Sequence, residues 1–481
     1  MTVADVLLIP LIVAAACALP IGGLARPLAI LAGLLTAATA GAAAWTNVGG
    51  GAPEAYVWAA PIGAQFAVGL DGPSTVLLML SGILFAIGAA ASRGVPSPRA
   101  YFALWSLLQV SVAGVLVARD LILFFAFWEA MLVPVALFIW RWGGAERRAA
   151  TVRLLVHWMT GSALLLTGLV VLGVGARTFS LAELSAYRLG EGSQVVLALL
   201  FVAAFAVRLP LFPFQVWLSG TYVAAPPPVA IVLAGVVSKT AIYGLVRICI
   251  PLFPRGMADL APLLIGLATV GALYGALLAT RQRDTRTFIA YATLSQLDLI
   301  ALGAFLATPG GTQGALVASV SHGLVVATLF LLAMALARRL GTFGVGPGGF
   351  ASRAPVLTSF FVVAILATVG VPGTSGAPGE LLILAAAFAR SPGIGLVVTL
   401  VVVFSAVYGV GLLRAVFFGP RGPGGPDDPG GAGADRGADL SWRERALVIP
   451  LLVLIVTLGV APRVIGDLAD RSAPALTEPA R

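Results

Sequence analysis

The sequence predicts an all-α polytopic membrane protein of about fourteen transmembrane helices. Three observations predict it. Hydrophobic residues make up 59% of the chain and charged residues only 10%, whereas soluble domains are near a quarter charged. Apolar runs long enough to cross a bilayer recur from one end to the other. The net charge of +9 comes almost wholly from arginines in the short loops between those runs, which is a topology signal and not a sign of nucleic-acid binding.

The apolar runs fall near 4–24, 28–46, 74–93, 100–118, 120–140, 150–175, 194–219, 229–250, 260–280, 287–307, 313–337, 356–390, 394–417 and 445–462. The N-terminus, MTVADVLLIP, has no basic leader region, so the first span reads as retained. Residues 47–73 are polar and Gly-rich, end in FAVGLDGPS, and read as a surface hairpin. Residues 419–443, beginning GPRGPGGPDDPGG, read as a flexible linker before a last, separate span. Cys17 and Cys249 each lie in an apolar run and read as small buried hydrophobes. No cysteine set suits a metal or cluster, and GVGPGG at 344–349 lies in a loop with no strand before it. The chain is therefore expected to bind no cofactor and no metal of its own.

Arginines set the expected orientation. Eighteen follow odd-numbered spans and six follow even-numbered ones, which places both termini on the outer, periplasmic side. Two spans are interrupted, span 7 by RLPLFP and span 12 by GVPGTSGAPGE. Free backbone groups within a bilayer are tolerated only inside protein or beside water. Matching breaks in two halves point to inverted repeats with an ion path between them. The repeats would be spans 4–8 (residues 100–250) and 9–13 (260–418), after three N-terminal helices (1–99) and before the linker and a C-terminal helix and tail (444–481). Two unrelated proline kinks would look the same in sequence.

The stretch from Arg208 to Arg247 organises the rest. It carries Arg208 beside Pro210 and Pro213, then Lys239, the only lysine of the chain, inside an apolar helix. A cation at the centre of a membrane helix costs about 2.5–3.5 kcal/mol on insertion scales, so it is seldom there without a use. Other ionisable groups well inside spans are Glu129, His157, Asp298, His322 and Glu380. His157 follows four arginines near a helix start and reads as an interface residue. Static pairs would explain the rest in part: Glu129 with Arg208, or Asp298 with Lys239 or His322. A series of acids, imidazoles and bases along the chain suits a proton relay better, since protons pass between groups that burial brings toward neutrality. At usual helix spacing these groups would be about 7–10 Å apart.

The same residues carry a family resemblance. VGLDGPSTVLLML, FFAFWEAMLVPVALFIWRWGG, LAGVVSKTAIYGLVRICIPLFP and VGVPGTSGAPGELLIL resemble the antiporter-like membrane-arm subunits of complex I, the proton-translocating NADH-quinone oxidoreductase, of the M type, from about Leu70 to Phe418. The resemblance implies a proton path through Glu129, a cation at Arg208, Lys239, His322 and Glu380, with Asp298 an addition. It implies neighbouring membrane-arm subunits, lipid and protons as partners, no nucleic acid, and an enzyme only as part of the assembly, in the inner (plasma) membrane. Four departures stand out. Arginine replaces the family's lysine at 208; lysine can lose its proton when desolvated and arginine effectively cannot. Gln215 and Gln296 stand where the family has histidines, and Asp298 is extra. The turn GTYVAAPPP leans toward the related Mrp-type cation antiporters. Three expectations follow: a redox-driven pump subunit, a Na⁺ or K⁺ for H⁺ antiporter or hydrogenase-linked subunit, and a non-pumping scaffold paralogue.

Overall fold

The computed structural model describes residues 3–20, 22–45, 54–59, 63–345, 348–419 and 439–471. Each of the fourteen apolar runs coincides with a helix or a broken helix. They are α1 (Asp5–Ala16), α2 (Ala25–Trp45), α3 (Gly72–Ala91), α4 (Pro98–Val117), α5 (Leu121–Trp142), α6 (Arg147–Ala176), α7a and α7b (Glu191–Arg208 and Leu218–Ala224) and α8 (Pro227–Leu252). Then come α9 (Pro254–Ala279), α10 (Thr285–Phe305), α11 (Pro309–Leu340), α12a and α12b (Pro355–Thr368 and Gly376–Arg390), α13 (Pro392–Phe418) and α14 (Trp442–Val460). Among the described residues, eleven helices are long and apolar enough to cross a membrane, and α1 and α12a are shorter apolar helices. The chain is a multi-pass membrane protein.

Between α2 and α3, β1 (Glu54–Ala59) and β2 (Ala64–Val68) form the antiparallel hairpin expected from that polar stretch. Asp71 then caps α3, accepting from the Ser74 amide at 2.8 Å. The same carboxylate holds Arg119 at 2.8 Å and Arg247 at 2.7 Å. Burial pushes the Asp71 carboxyl up, and the two guanidiniums with the Ser74 amide more than offset it, leaving it below the ordinary range.

Burial sorts the helices. The apolar window of α8 is wholly buried, with 94% of α10 and 89% of α11, against 39% of α6 and of α13. The three buried helices carry Lys239, Asp298 and His322, so these charges lie at the centre of the bundle. The fourth helix is broken in each of the runs α4–α8 and α9–α13. Five spans are an odd number, so the second run enters from the opposite face, as an inverted repeat requires. The two breaks share a backbone turn: the Leu211 amide bonds back to the Ala206 carbonyl at 2.9 Å, and Val371 to Leu366 at 3.0 Å.

Most of the expected linker, 420–438, lies outside the described residues, as do 346–347 of GVGPGG. Its last residues are anchored, which the linker reading did not foresee. Asp439 accepts from the amides of Val356 at 2.7 Å and Leu357 at 3.0 Å, satisfying the free N-terminal donors of α12a. Glu444 and Ser441 close a capping box on α14. Nor is α14 separate: it packs against α11, α12 and α3.

Candidate functional site

Helix α8, which ends the first repeat, and the helices of the second repeat bring their expected residues together. Helix α8 contains two π-helical turns, Leu233–Val237 and Leu245–Cys249, on either side of the Lys239 turn. Such turns leave carbonyls off the ordinary ladder and recur at functional sites. The Lys239 ammonium donates to one of them, Ala234 O, at 2.5 Å, and lies 3.3 Å from Ser238 Oγ. It also contacts His322 Nδ1 of α11 at 2.7 Å. The approach depends on small residues: a Cβ on Gly323, next to His322, would stand 2.8 Å from the Gly235 carbonyl of α8. The expected spacing of about 7–10 Å is thus too long for this pair, because glycine lets the two backbones close.

Beyond His322 lies a cavity of about 20 Å³ lined by His322, Ser321, Gln296, Thr368 and Glu380. That is room for about one water molecule with several polar partners. Gln296 donates to Thr368 O at 3.1 Å, a carbonyl freed by the α12 break. Ser321 and Ser375 share a hydrogen bond of 2.8 Å across the same break. Glu380 is folded back over the break onto Gly370, whose φ is +74°; a Cβ there would overlap the carboxylate. Lys239 is 1% exposed, Glu380 7% and His322 8%, so the series is sealed within protein.

The first half differs from expectation. Among the described residues, Glu129 and Arg208 form no ion pair within 4.0 Å. Arg208 lies instead between two indoles, its Cζ 3.7 Å from the Trp128 ring centroid and 4.4 Å from that of Trp158. It donates to the Trp128 carbonyl at 3.0 Å. The reason is helical geometry: consecutive residues point about 100° apart, so with Trp128 facing Arg208 its neighbour Glu129 is turned aside, and one Glu129 oxygen is buried with no hydrogen-bond partner. Phe205 fills the space between this box and α8, packing on Trp128 at 5.3 Å and against Gly244. Trp217 closes the α7 break by donating to Val207 O at 2.8 Å.

Asp298 also departs from expectation. It contacts neither Lys239 nor His322 among its hydrogen bonds; fully buried on α10, it accepts from the Phe212 amide in the α7 break at 3.3 Å. It therefore satisfies a donor released by the break in the other repeat. His157 sits half-buried on α6, bonded to Arg153 O at 2.7 Å, as an interface residue. Sequence reasoning missed Trp128, Trp158, Ser321 and Ser375. Both tryptophans adjoin a titratable residue in sequence, Glu129 and His157, and indoles are strong cation–π partners; that was the available signal.

Comparison with known proteins fits this geometry. Residues 118–406 match the family model described as NADH:quinone oxidoreductase/Mrp antiporter, transmembrane. The chain is 34% identical over 443 residues to NADH-quinone oxidoreductase subunit M of Pseudomonas aeruginosa, covering 88% of this chain and 85% of that one. To subunit M of Escherichia coli it is 32% identical over 430 residues, covering 85% and 82%. A chain of respiratory complex I from Thermus thermophilus superposes with a TM-score of 0.89 at 30% identity, covering 98% of each. A chain of the Mrp complex from Dietzia sp. superposes with a TM-score of 0.85 at 22% identity, covering 99% and 98%, a likeness of fold.

Proposed function

The chain belongs to the NADH:quinone oxidoreductase/Mrp antiporter transmembrane family, and from that premise we propose that it is a proton-translocating membrane-arm subunit of a complex I-like NADH-quinone oxidoreductase. The observation that carries the reading is the buried sequence Lys239–His322–cavity–Glu380. Lys239 hands a proton to His322 across their direct contact. The imidazole passes it through the polar cavity, where Ser321 and Gln296 orient the transfer, and Glu380 receives it at the break in α12. Glu129 lies on the entry side of the first half. Arg208 supplies a fixed positive charge there and is not a carrier, since guanidinium keeps its proton. Asp298 holds the α7 break in place.

Electron transfer belongs to partner subunits in this reading: an iron–sulfur cluster takes four cysteines as a rule, and this chain has two. The partners are neighbouring antiporter-like subunits in the inner (plasma) membrane. The arginine distribution supports outer-facing termini.

The test is gentle-detergent purification through a tag on this chain, with the co-purifying chains identified and NADH-quinone activity assayed. Flavin- and cluster-bearing subunits with inhibitor-sensitive quinone reduction are expected. Co-purification of small membrane subunits alone, with a pH gradient that collapses on Na⁺ addition without NADH, would replace this reading with a cation antiporter.

A further inference from the structure

A second charged site lies away from the proton path, at the membrane face that carries the arginine-rich loops. There the C-terminal ends of α3 and α11 and the N-terminal end of α14 enclose a cleft of about 440 Å³. Arg93, Arg338 and Arg443 line it together with Trp442, while Leu331 and Leu447 form part of an apolar floor.

The cleft holds more positive charge than it neutralises. Glu444 is the carboxylate among its described lining residues, and both oxygens are engaged. Arg338 reaches Oε1 at 3.3 Å, and Arg339 reaches Oε1 at 3.2 Å and Oε2 at 2.9 Å. The Ser441 amide adds a bond to Oε2 at 2.9 Å. Arg93 and Arg443 have no carboxylate within 4.0 Å among the described residues. Arg26, bound to the last carbonyls of α3 at Ala89 and Ala90, is close enough to feel the charges of both. Like charges held together at a membrane surface are relieved by an anion. Arginine suits phosphate, because its planar fork offers paired donors.

The apolar floor selects the kind of anion. Free phosphate would leave Met334 and Leu447, both half-buried in the cleft lining, uncovered, whereas a phospholipid covers them with its chains. Trp442 is 73% exposed at the mouth, and an indole there matches the headgroup level of a bilayer. Basic pockets between membrane helices on this kind of face bind anionic headgroups. We propose that this cleft binds one anionic phospholipid, its phosphate held by Arg93 and Arg443 and its acyl chains lying along α11 and α14.

The experiment is native mass spectrometry of the intact detergent-purified assembly, delipidated and then titrated with phosphatidylglycerol or phosphatidylcholine. The wild type is expected to retain one more phosphatidylglycerol per copy of this chain than the Arg93→Gln/Arg443→Gln variant, and no extra phosphatidylcholine. Arg188→Gln/Arg390→Gln, a matched charge loss at other loops, should retain it, and so should Arg93→Lys/Arg443→Lys at lower occupancy. Equal retention by wild type and the Arg93→Gln/Arg443→Gln variant would overturn the proposal, as would equal loss from the Arg188→Gln/Arg390→Gln control. Binding of inorganic phosphate with no retention of phosphatidylglycerol would also overturn it, by assigning the arginines to free phosphate.

Discussion

At the break in α7 a guanidinium lies between two indoles, 3.7 and 4.4 Å from their centroids. At the break in α12 a carboxylate faces a cavity it shares with an imidazole and three amide- or hydroxyl-bearing side chains. The backbone turns of the two breaks match, so the difference is one of side chains. An aromatic box holds a cation by its faces and offers no acceptor to which a proton could pass. A cavity of polar groups offers several. The α7 break thus surrounds its charge with aromatic faces, and the α12 break surrounds its own with polar groups. Helix α8, with its single lysine between two π-helical turns, stands between them.

The largest expected effect comes from the Lys239–Glu380 series. Lys239→Ala removes the group that contacts His322 and should remove this subunit's share of proton uptake by inverted vesicles, with NADH oxidation followed in the same sample. Glu380→Gln keeps the shape at Gly370 but cannot accept a proton; it should lose most translocation, with Glu380→Asp recovering part. Retained translocation in Glu380→Gln would show that Glu380 does not accept the proton at the α12 break.

Arg208→Lys probes the α7 break. Charge is kept while the planar stack is lost, so stability should fall by about 2 kcal/mol, the scale of a desolvated cation–π contact. Thermal unfolding of the purified protein would measure it, and proton uptake should be unchanged. A rise in uptake would show that arginine attenuates a working carrier site. Asp298→Leu should cost about 1–3 kcal/mol by stranding the Phe212 amide. Asp298→Asn keeps an acceptor oxygen and should be milder; equal losses in transport from both would make Asp298 a carrier after all.

The smallest effect concerns pH. Burial pushes the Asp439 carboxyl up, but the amides of Val356, Leu440 and Leu357, with the charge of Arg445, hold it below the ordinary range. Its folded-state value is depressed, so its contribution is present above the unfolded value of about 3.9 and is lost as pH falls through the folded one. Acidification should loosen the junction of α12a and α14, read as faster hydrogen exchange at Val356 and Leu357. Asp439→Asn should show that faster exchange already at neutral pH.

Much of this was legible in the sequence. Ionisable groups in apolar runs announced Lys239, His322 and Glu380, because few side chains in a membrane protein carry charge without a use. Pro and Gly clusters announced both breaks for the same reason: only they interrupt a helix so abruptly. Glu129 and Arg208 were read as a charged pair, but no ion pair within 4.0 Å joins them among the described residues. A pairing of charges is readable from residue types, whereas which of Trp128 and Glu129 faces inward depends on helix rotation. Asp298 was hidden similarly, since its partner is a backbone amide 86 positions away that carries no side-chain signal. The anchoring of α14 escaped because Asp439 stands in a Gly/Pro-rich stretch, where composition suggests a tether and a single carboxylate supplies the attachment.

The most direct test of the central claim is proton uptake per electron in vesicles carrying Lys239→Ala beside vesicles carrying Arg208→Lys. Loss of this subunit's protons is expected in the first and a wild-type ratio in the second. A wild-type ratio in Lys239→Ala, or its loss in Arg208→Lys alone, would contradict the division of roles between the two halves.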